Sequence, residues 1–334
     1  MTVLGRALRI RAGTLFTQRP VPVLAASDWP TPVGAVFNPA ATVHDGQTIL
    51  LCRVEDRRGI SQLAVARSFD GVTGWRMDER PLITADVNDP QTCFGVQDPR
   101  VTWVEELAAY VIAYVGHGRD GTGVSLAVTH DFRSVEHIGR VMSPEDGNAC
   151  LLPRHIGGQF VLFHRPVSHR THRADIWLSR STDLRGWSDP ELVLAARDGT
   201  WWDSARVGMG PPPIETPDGW LGIYHGVQRL EAGAVWRVGL VLLDLHEPAR
   251  VLHRTDSWVL GPHAYHERCG DVPNRLIPSG LIHDPATDQL RLYYGAADTC
   301  VGMATAQLAD VLDYVLSCPA DGGFDPPERT HPRM

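Results

Sequence analysis

Lysine is absent from this 334-residue sequence; all 31 basic residues are arginines. A P-loop lysine and a Schiff-base lysine are thereby excluded, while the bias itself asks for nothing beyond a genome rich in arginine codons. A surplus of positive charge is also lacking: the net charge is −8, with no long basic run, so nucleic acid and anionic membrane surfaces are not expected as partners. No stretch approaches the ~20 apolar residues of a membrane span. The opening "MTVLGRALRIRAGTLF" has no continuous apolar segment of the secretory kind, so a cytoplasmic location is expected. The six cysteines contain no CxxC pair, which argues against a zinc ribbon and for reduced structural thiols. No metal and no organic cofactor is expected.

What the chain does have is a weak repeat. Apolar runs of strand length recur as "TILLCRVED", "AYVIAYVGH", "QFVLFHRPV", "GWLGIYHGV" and "QLRLYYGAA", and their alignment sets Arg53, Gly116, Arg165, Gly226 and Gly295 at equivalent positions. Each run follows a shorter segment: "FNPAATV", "QDPRVTW", "NACLLPR", "GPPPIET" and "PSGLIHD". Three runs lead into an alternating strand that ends at Asp70, Asp131 or Asp183, where a short carboxylate can bond nearby backbone amides and make a turn, with Trp75 and Trp187 packing behind.

Short strands, 32 glycines, 25 prolines and five repeats indicate an all-β chain, a five-bladed β-propeller. One helix is expected, over 305–317, from the helical spacing of its leucines and valines. Residues 1–317 read as a single domain, and the Pro- and charge-rich 318–334 as a disordered tail.

In a propeller the first strands line a central channel, so Asn38, Asp98, Asn148, Gly210 and Ser279 should meet at one mouth. Asp98 is the only acid among them. Pro99 should bias it towards an extended backbone and hold its carboxylate in one direction; the alternative is that Asp98 caps a turn or pairs with Arg100. Arg53 and Arg165 end equivalent strands, His225 ends another and Arg206 lies just before "GMGPPP", giving four cations near the mouth. Arginine forks suit phosphate or carboxylate.

The segment "WWDSARVGMGPPPIETPDGWLGIYHGV" resembles the signature of glycoside hydrolase family 130, the β-mannoside phosphorylases and related β-mannosidases. The likeness continues in "FNPAA", "RVEDRRGISQLAVARSFDG", "QDPR", "LFHRP", "VGLVLLDLHEPARVLHRTDSWVLGP", "ERCGDVPN" and "YYGAAD", in the family's order, from about residue 35 to 317. The resemblance implies a five-bladed propeller with its sugar site at the central mouth. It implies that Asp98 is the general acid, acting on the glycosidic oxygen through a sugar hydroxyl. Asn38, Arg53 and Asp298 match positions that hold the mannosyl unit; Arg165, Arg206 and His225 match positions that bind inorganic phosphate, the co-substrate. Family members often assemble, so a homo-oligomer is also implied.

The chemistry is coherent by itself. Inverting cleavage needs an acid for the leaving oxygen and a nucleophile on the opposite face of the ring. Phosphate is already a nucleophilic anion, so a phosphorylase supplies cations where a hydrolase supplies a second carboxylate. The sequence departs from the phosphorylase pattern at Gly147, where a cation is expected, and at Arg154, which replaces a glutamate. The alternatives are an inverting β-mannosidase, with Asp203 as candidate base or fixing Arg206 instead, and a sugar-binding propeller without catalysis. Glu55 and Asp56 could contact sugar or pair with Arg57 and Arg58. His164, His169 and His172 match no strong ligand motif and read as a polar rim loop. Of Tyr224, Tyr293, Tyr294 and Trp236, one or two could stack on sugar.

Overall fold

The computed structural model describes residues 15–167 and 174–319. Its strands pair almost entirely as antiparallel neighbours in sequence, the pattern that short connections and alternating burial dictate. After β1 (Thr17–Gln18), the first unit comprises β2 (Ala35–His44), β3 (Gln47–Glu55), β4 (Ser61–Ser68) and β5 (Arg76–Met77). The second comprises β6 (Gly95–Val104), β7 (Ala109–Gly118), β8 (Gly121–Thr129) and β9 (Glu136–Arg140), joined to the first by a single parallel pairing, Ser61 with Gly95. The third is β10 (Cys150–Leu151), β11 (Phe160–His164), β12 (Ile176–Ser181) and β13 (Ser188–Leu194). The fourth holds β14 (Arg206–Met209), β15 (Ile214–Thr216), β16 (Gly219–Leu230), β17 (Gly233–Leu243) and β18 (Val251–Arg254). The last is β19 (Leu276–Asp284), β20 (Gln289–Ala296) and β21 (Cys300–Gln307), with β1 added alongside β21. Two α-helices are described, α1 (Tyr265–Arg268) and α2 (Leu308–Ser317). None is long and apolar enough to cross a membrane.

The aspartate turns are as expected. Asp70 accepts from the amides of Val72 (2.7 Å) and Thr73 (2.8 Å), Asp131 from Arg133 (2.8 Å) and Ser134 (3.1 Å), and Asp183 from Arg185 (2.8 Å) and Gly186 (2.9 Å). Asp244, between β17 and β18, does the same for His246 and Glu247 in the fourth unit, where no matching motif was evident. Trp75 and Trp187 donate to the carbonyls of Val72 and Leu184 and close these turns from behind.

Two boundaries differ from expectation. Thr305, Ala306 and Gln307 are the last ladder residues of β21, paired with β20, so the helix begins three residues later at Leu308. Its buried Val311 and Val315 pack with Leu240, Leu242 and Leu290. Of the proposed tail, 320–334 lies outside the described residues; Cys318 caps α2 and its Sγ contacts the Tyr314 carbonyl.

The inner strands pack against one another. A Cβ on Gly280 of β19 would stand only 2.5 Å from Ala41 Cβ of β2, so glycine is required there for the close approach. Arg100, fully buried on β6, joins three units through carbonyls: its Nε donates to Gly210 (2.6 Å), Nη1 to Pro99 (3.0 Å) and Nη2 to Pro278 (3.5 Å).

Candidate active site

Three inner strands carry a bulge at the same place. Register shifts fall between Phe37 and Ala40, between Gln97 and Arg100, and between Pro278 and Gly280. Each bulge turns one polar side chain out of the ladder: Asn38, Asp98 and Ser279. Asn38 (φ 44°), Asp98 (φ 54°) and Asn148 (φ 50°) all adopt the left-handed conformation that Asn and Asp tolerate better than other side chains. The expectation that Pro99 keeps Asp98 extended is therefore corrected: the bulge, not the proline, aims the carboxylate. Arg53 lies opposite Phe37, just before the first bulge, and the matching partners are Val115 and Tyr294 rather than Gly116 and Gly295.

Three of the predicted residues, Asn38, Arg53 and Asp98, meet directly. Asn38 Nδ2 donates to Asp98 Oδ1 at 2.8 Å, and Arg53 Nη1 approaches the same oxygen at 3.5 Å. Arg53 is itself held by Ser61 (Nε–Oγ 2.8 Å) and Glu55 (Nη2–Oε2 3.2 Å). Arg100 reaches the main-chain carbonyl of Asp98, not its carboxylate. Burial pushes the Asp98 carboxyl up, but Arg53, the Asn38 bond and the charges of Arg100 and Arg275 outweigh it and hold the group below the usual carboxylate range. The side chain remains 24% exposed, open to a ligand.

Asp298 sits in the tight turn after β20, with Ala297 and Asp298 both left-handed (φ 49° and 53°). It pairs with Arg275 through Oδ2 at 2.5 Å. Burial raises the Asp298 carboxyl above its ordinary value, with the charge of Asp98 adding to it, against the pull of Arg275 and Arg53.

On the cationic side, Arg165, Arg206 and Arg275 feel one another. The Arg165 guanidinium is brought down to about 10 by burial first and then by the Arg206 charge. Arg206 is lowered by burial, Arg229 and Arg275. Among the described residues, no carboxylate is hydrogen-bonded to the Arg165 or Arg206 side chain. His225 is not a fourth cation: burial and the charges of Arg165, Arg100, Arg275 and Arg206 push its imidazole well below the ordinary value, so it is neutral. Nor does it end a strand; it lies inside β16, opposite Gly208, whose missing Cβ leaves room for the ring.

Buried polar atoms without partners gather here. Asn38 Oδ1, Ser279 Oγ, Asp298 Oδ1, Arg165 Nε, His225 Nδ1 and Arg275 Nε all lack a hydrogen bond in the structure. Such groups cost free energy unless something completes them, so a cluster of them marks a polar ligand site.

Several predicted roles fall away. Asp203 is fully buried and its carboxylate is saturated: Arg197 forks onto it (both 2.9 Å), Arg254 Nη2 donates at 2.7 Å and the Tyr224 hydroxyl at 2.9 Å. It cannot activate water, and the arginines it fixes are Arg197 and Arg254 rather than Arg206. Arg154 forks onto Glu215 and lies over Trp220, so it does not stand in for the cation missing at Gly147. Asp56 bonds Arg58, and His164 holds Asp146 (2.7 Å) and Ser179 (3.0 Å). Asp146 in turn accepts from the Gly147 and Arg165 amides, which fixes the loop beneath Arg165. His169 and His172 lie outside the described residues, among which no metal-ligating group of three is found. Tyr224, Tyr293 and Tyr294 are core residues, while Trp236 carries the Arg275 guanidinium at 5.1 Å. Arg275 went unnoticed in sequence. The available signal was an arginine immediately before an inner strand, the position that Arg206 nearly shares at the start of β14.

A cavity of about 970 Å³ lies elsewhere, against β13, β18 and α2. Its Arg197 and Arg254 are both tied to Asp203, so the cluster around Asp98, with its unpartnered polar atoms, is the better-equipped site.

Comparison with known proteins bears on the family and the fold. The family model of glycoside hydrolase 130, described as beta-1,4-mannooligosaccharide phosphorylase, matches residues 17–317. The 1,2-beta-oligomannan phosphorylase of Thermoanaerobacter sp. (strain X514) is 34% identical over 298 residues, 86% of this chain and 94% of that protein. The beta-1,4-mannooligosaccharide phosphorylase of Ruminococcus albus is 33% identical over 307 residues, 89% of each. The solved beta-1,2-mannobiose phosphorylase of Listeria innocua, in complex with beta-1,2-mannobiose, superposes with a TM-score of 0.82 at 26% identity, covering 90% of this chain and 99% of that one.

Proposed function

The chain belongs to glycoside hydrolase family 130, and from that premise we propose that it is an inverting β-mannoside phosphorylase, turning a β-mannoside and inorganic phosphate into α-mannose 1-phosphate and the shortened sugar. The observation that carries this is the set of mutually repelling guanidinium groups, Arg165 and Arg206, with no carboxylate among the described residues hydrogen-bonded to them, beside one positioned acid. Like charges held together without a counter-ion favour an anion, and each charged hydrogen bond to it contributes about 1.5–3 kcal/mol.

Phosphate attacks the anomeric carbon from the face opposite the leaving oxygen, the C–O bond to that oxygen breaks, and the Asp98 proton passes to it through a sugar hydroxyl. Asn38, Arg53 and Asp298 hold the mannosyl ring, with the unpartnered Asn38 Oδ1 and Asp298 Oδ1 available to its hydroxyls. Arg165, Arg206 and neutral His225 hold phosphate. In the free chain Asp98 favours the ionised form. A phosphate dianion bound nearby raises its proton affinity, which couples arrival of the nucleophile to arming of the acid.

The five antiparallel units, with packed inner strands and a common mouth, support a five-bladed propeller as one catalytic domain. The cysteines, none of them in a disulfide, support a reducing, cytoplasmic compartment. Gly147 favours the hydrolytic alternative, but that reading lacks a free base now that Asp203 is committed to Arg197 and Arg254.

The test is incubation with β-1,4-mannobiose, β-1,4-mannosylglucose and β-1,2-mannobiose, with and without inorganic phosphate. Phosphate-dependent release of α-mannose 1-phosphate is the expected outcome. Free mannose at an equal rate in phosphate-free buffer would overturn it.

A further inference from the structure

Gly147 leaves the anion site one side chain short, yet a guanidinium that the family likeness did not assign stands at that site. Arg275 is built into position. Its main-chain carbonyl accepts from Ala297 (2.8 Å), and its guanidinium lies over the Trp236 ring, 5.1 Å from the centroid. Trp236 pairs with Val227, which pairs on its other side with Arg206. The stacked guanidinium and Arg206 therefore sit over strands about 10 Å apart, two strand spacings. Among the described residues only Nη1 of Arg275 is committed, to Asp298, and the buried Nε proton has no acceptor. The side chain is 31% exposed.

We propose that Arg275 is a second-side phosphate ligand that joins the two halves of the site: Nη1 holds the mannosyl-side Asp298 while the Nε–Nη2 edge grips bound phosphate, supplying the charge that position 147 lacks. The proposal rests on the phosphorylase reading. A guanidinium is suited to this double duty because its two edges bind separate acceptors in one plane. It also explains two orphans together. Arg275 Nε gains a phosphate oxygen, and Asp298 Oδ1 is left for a sugar hydroxyl.

Calorimetric titration with inorganic phosphate tests this without turnover. Arg275→Met should weaken phosphate binding roughly tenfold to a hundredfold, the loss of one charged hydrogen-bonding edge. Asp298→Asn should change phosphate affinity less than about threefold while removing β-mannobiose binding. Adding Gly147→Arg to Arg275→Met should recover about tenfold in phosphate affinity but not in mannobiose affinity. There is room for it: a Cβ at 147 would meet nothing closer than Val115 Cγ2 at 3.6 Å and Arg165 Nη2 at 4.0 Å. Unchanged phosphate affinity in Arg275→Met, or equal losses in Arg275→Met and Asp298→Asn with no recovery from the cation at 147, would reduce Arg275 to a structural partner of Asp298 and overturn the proposal. Absence of phosphate binding in the wild-type chain would instead remove the phosphorylase reading, and this inference with it.

Discussion

Replacing Asp98 with asparagine changes the acid while disturbing little else. The amide oxygen can still accept from Asn38 Nδ2, and Arg53 keeps its bonds to Ser61 and Glu55. What is lost is a 3.5 Å ion pair between partly exposed side chains, 18% and 24% accessible, worth no more than about 1 kcal/mol. That loss has a definite pH dependence. Because the folded carboxyl sits below its ordinary value, its stabilisation is present above the unfolded pKa and vanishes as the pH falls through the folded one. Asp98→Asn should therefore melt within a few degrees of wild type at pH 7, and at the same temperature in strong acid. Phosphorolysis should fall by roughly 10²–10⁴-fold, the usual worth of a positioned general acid. Phosphate affinity should hold or improve, since a negative charge has left the site. The assay is initial-rate phosphorolysis with melting curves on the same preparation. Turnover within tenfold of wild type would remove Asp98 as the acid, and turnover lost together with a large drop in melting temperature would show that its role is structural.

Asp203→Asn removes the buried charge with which both Arg197 and Arg254 pair, and breaking such a pair costs about 3–5 kcal/mol; melting should drop by several degrees with phosphate KM unchanged, and a silent substitution would refute the buried-pair account. Arg206→Met should raise the KM for phosphate roughly tenfold or more while the mannoside KM stays near wild type, measured with each substrate varied in turn. His225 is held neutral, so the unfolded chain gains a proton as pH drops below about 6.5 and the folded chain does not. Stability should accordingly be lost on acidification through that range, and His225→Gln should flatten the loss in melting curves taken from pH 7 to 5.

Local chemistry made much of this readable in advance. Asp70, Asp131 and Asp183 announce their turns because a carboxylate two or three residues before free amides has one obvious use. The short segment that recurs before each apolar run sets β2, β6 and β19 at equivalent places in the repeat, and so brings Asn38 and Asp98 together. What stayed hidden depends on partners far along the chain. Asp203 looks available in "WWDSAR" until Arg254, some fifty residues on, closes over it. His225 looks cationic until burial among four arginines is taken into account. The bulges that rotate Asn38 and Asp98 into left-handed geometry arise from the register between strands, which no run of residues displays.

The pairing of β1 with β21 has a consequence for biosynthesis. Thr17 meets Thr305, so the outermost strand of the last sheet leaves the ribosome first and waits for nearly the whole chain. At 5–20 residues per second that delay is roughly 15–60 s. Throughout it the early segment has no ladder partner, and a nascent chain stalled anywhere before β21 carries an open edge, the kind that recruits foreign strands. The three sheets translated beforehand can pair their own ladders, but the cores that the first and fourth units share with the last one wait for β19–β21, and Asp298 is translated only just before β21. Catalytic competence must therefore arrive late and all at once, when the clasp between the two ends of the described chain shuts.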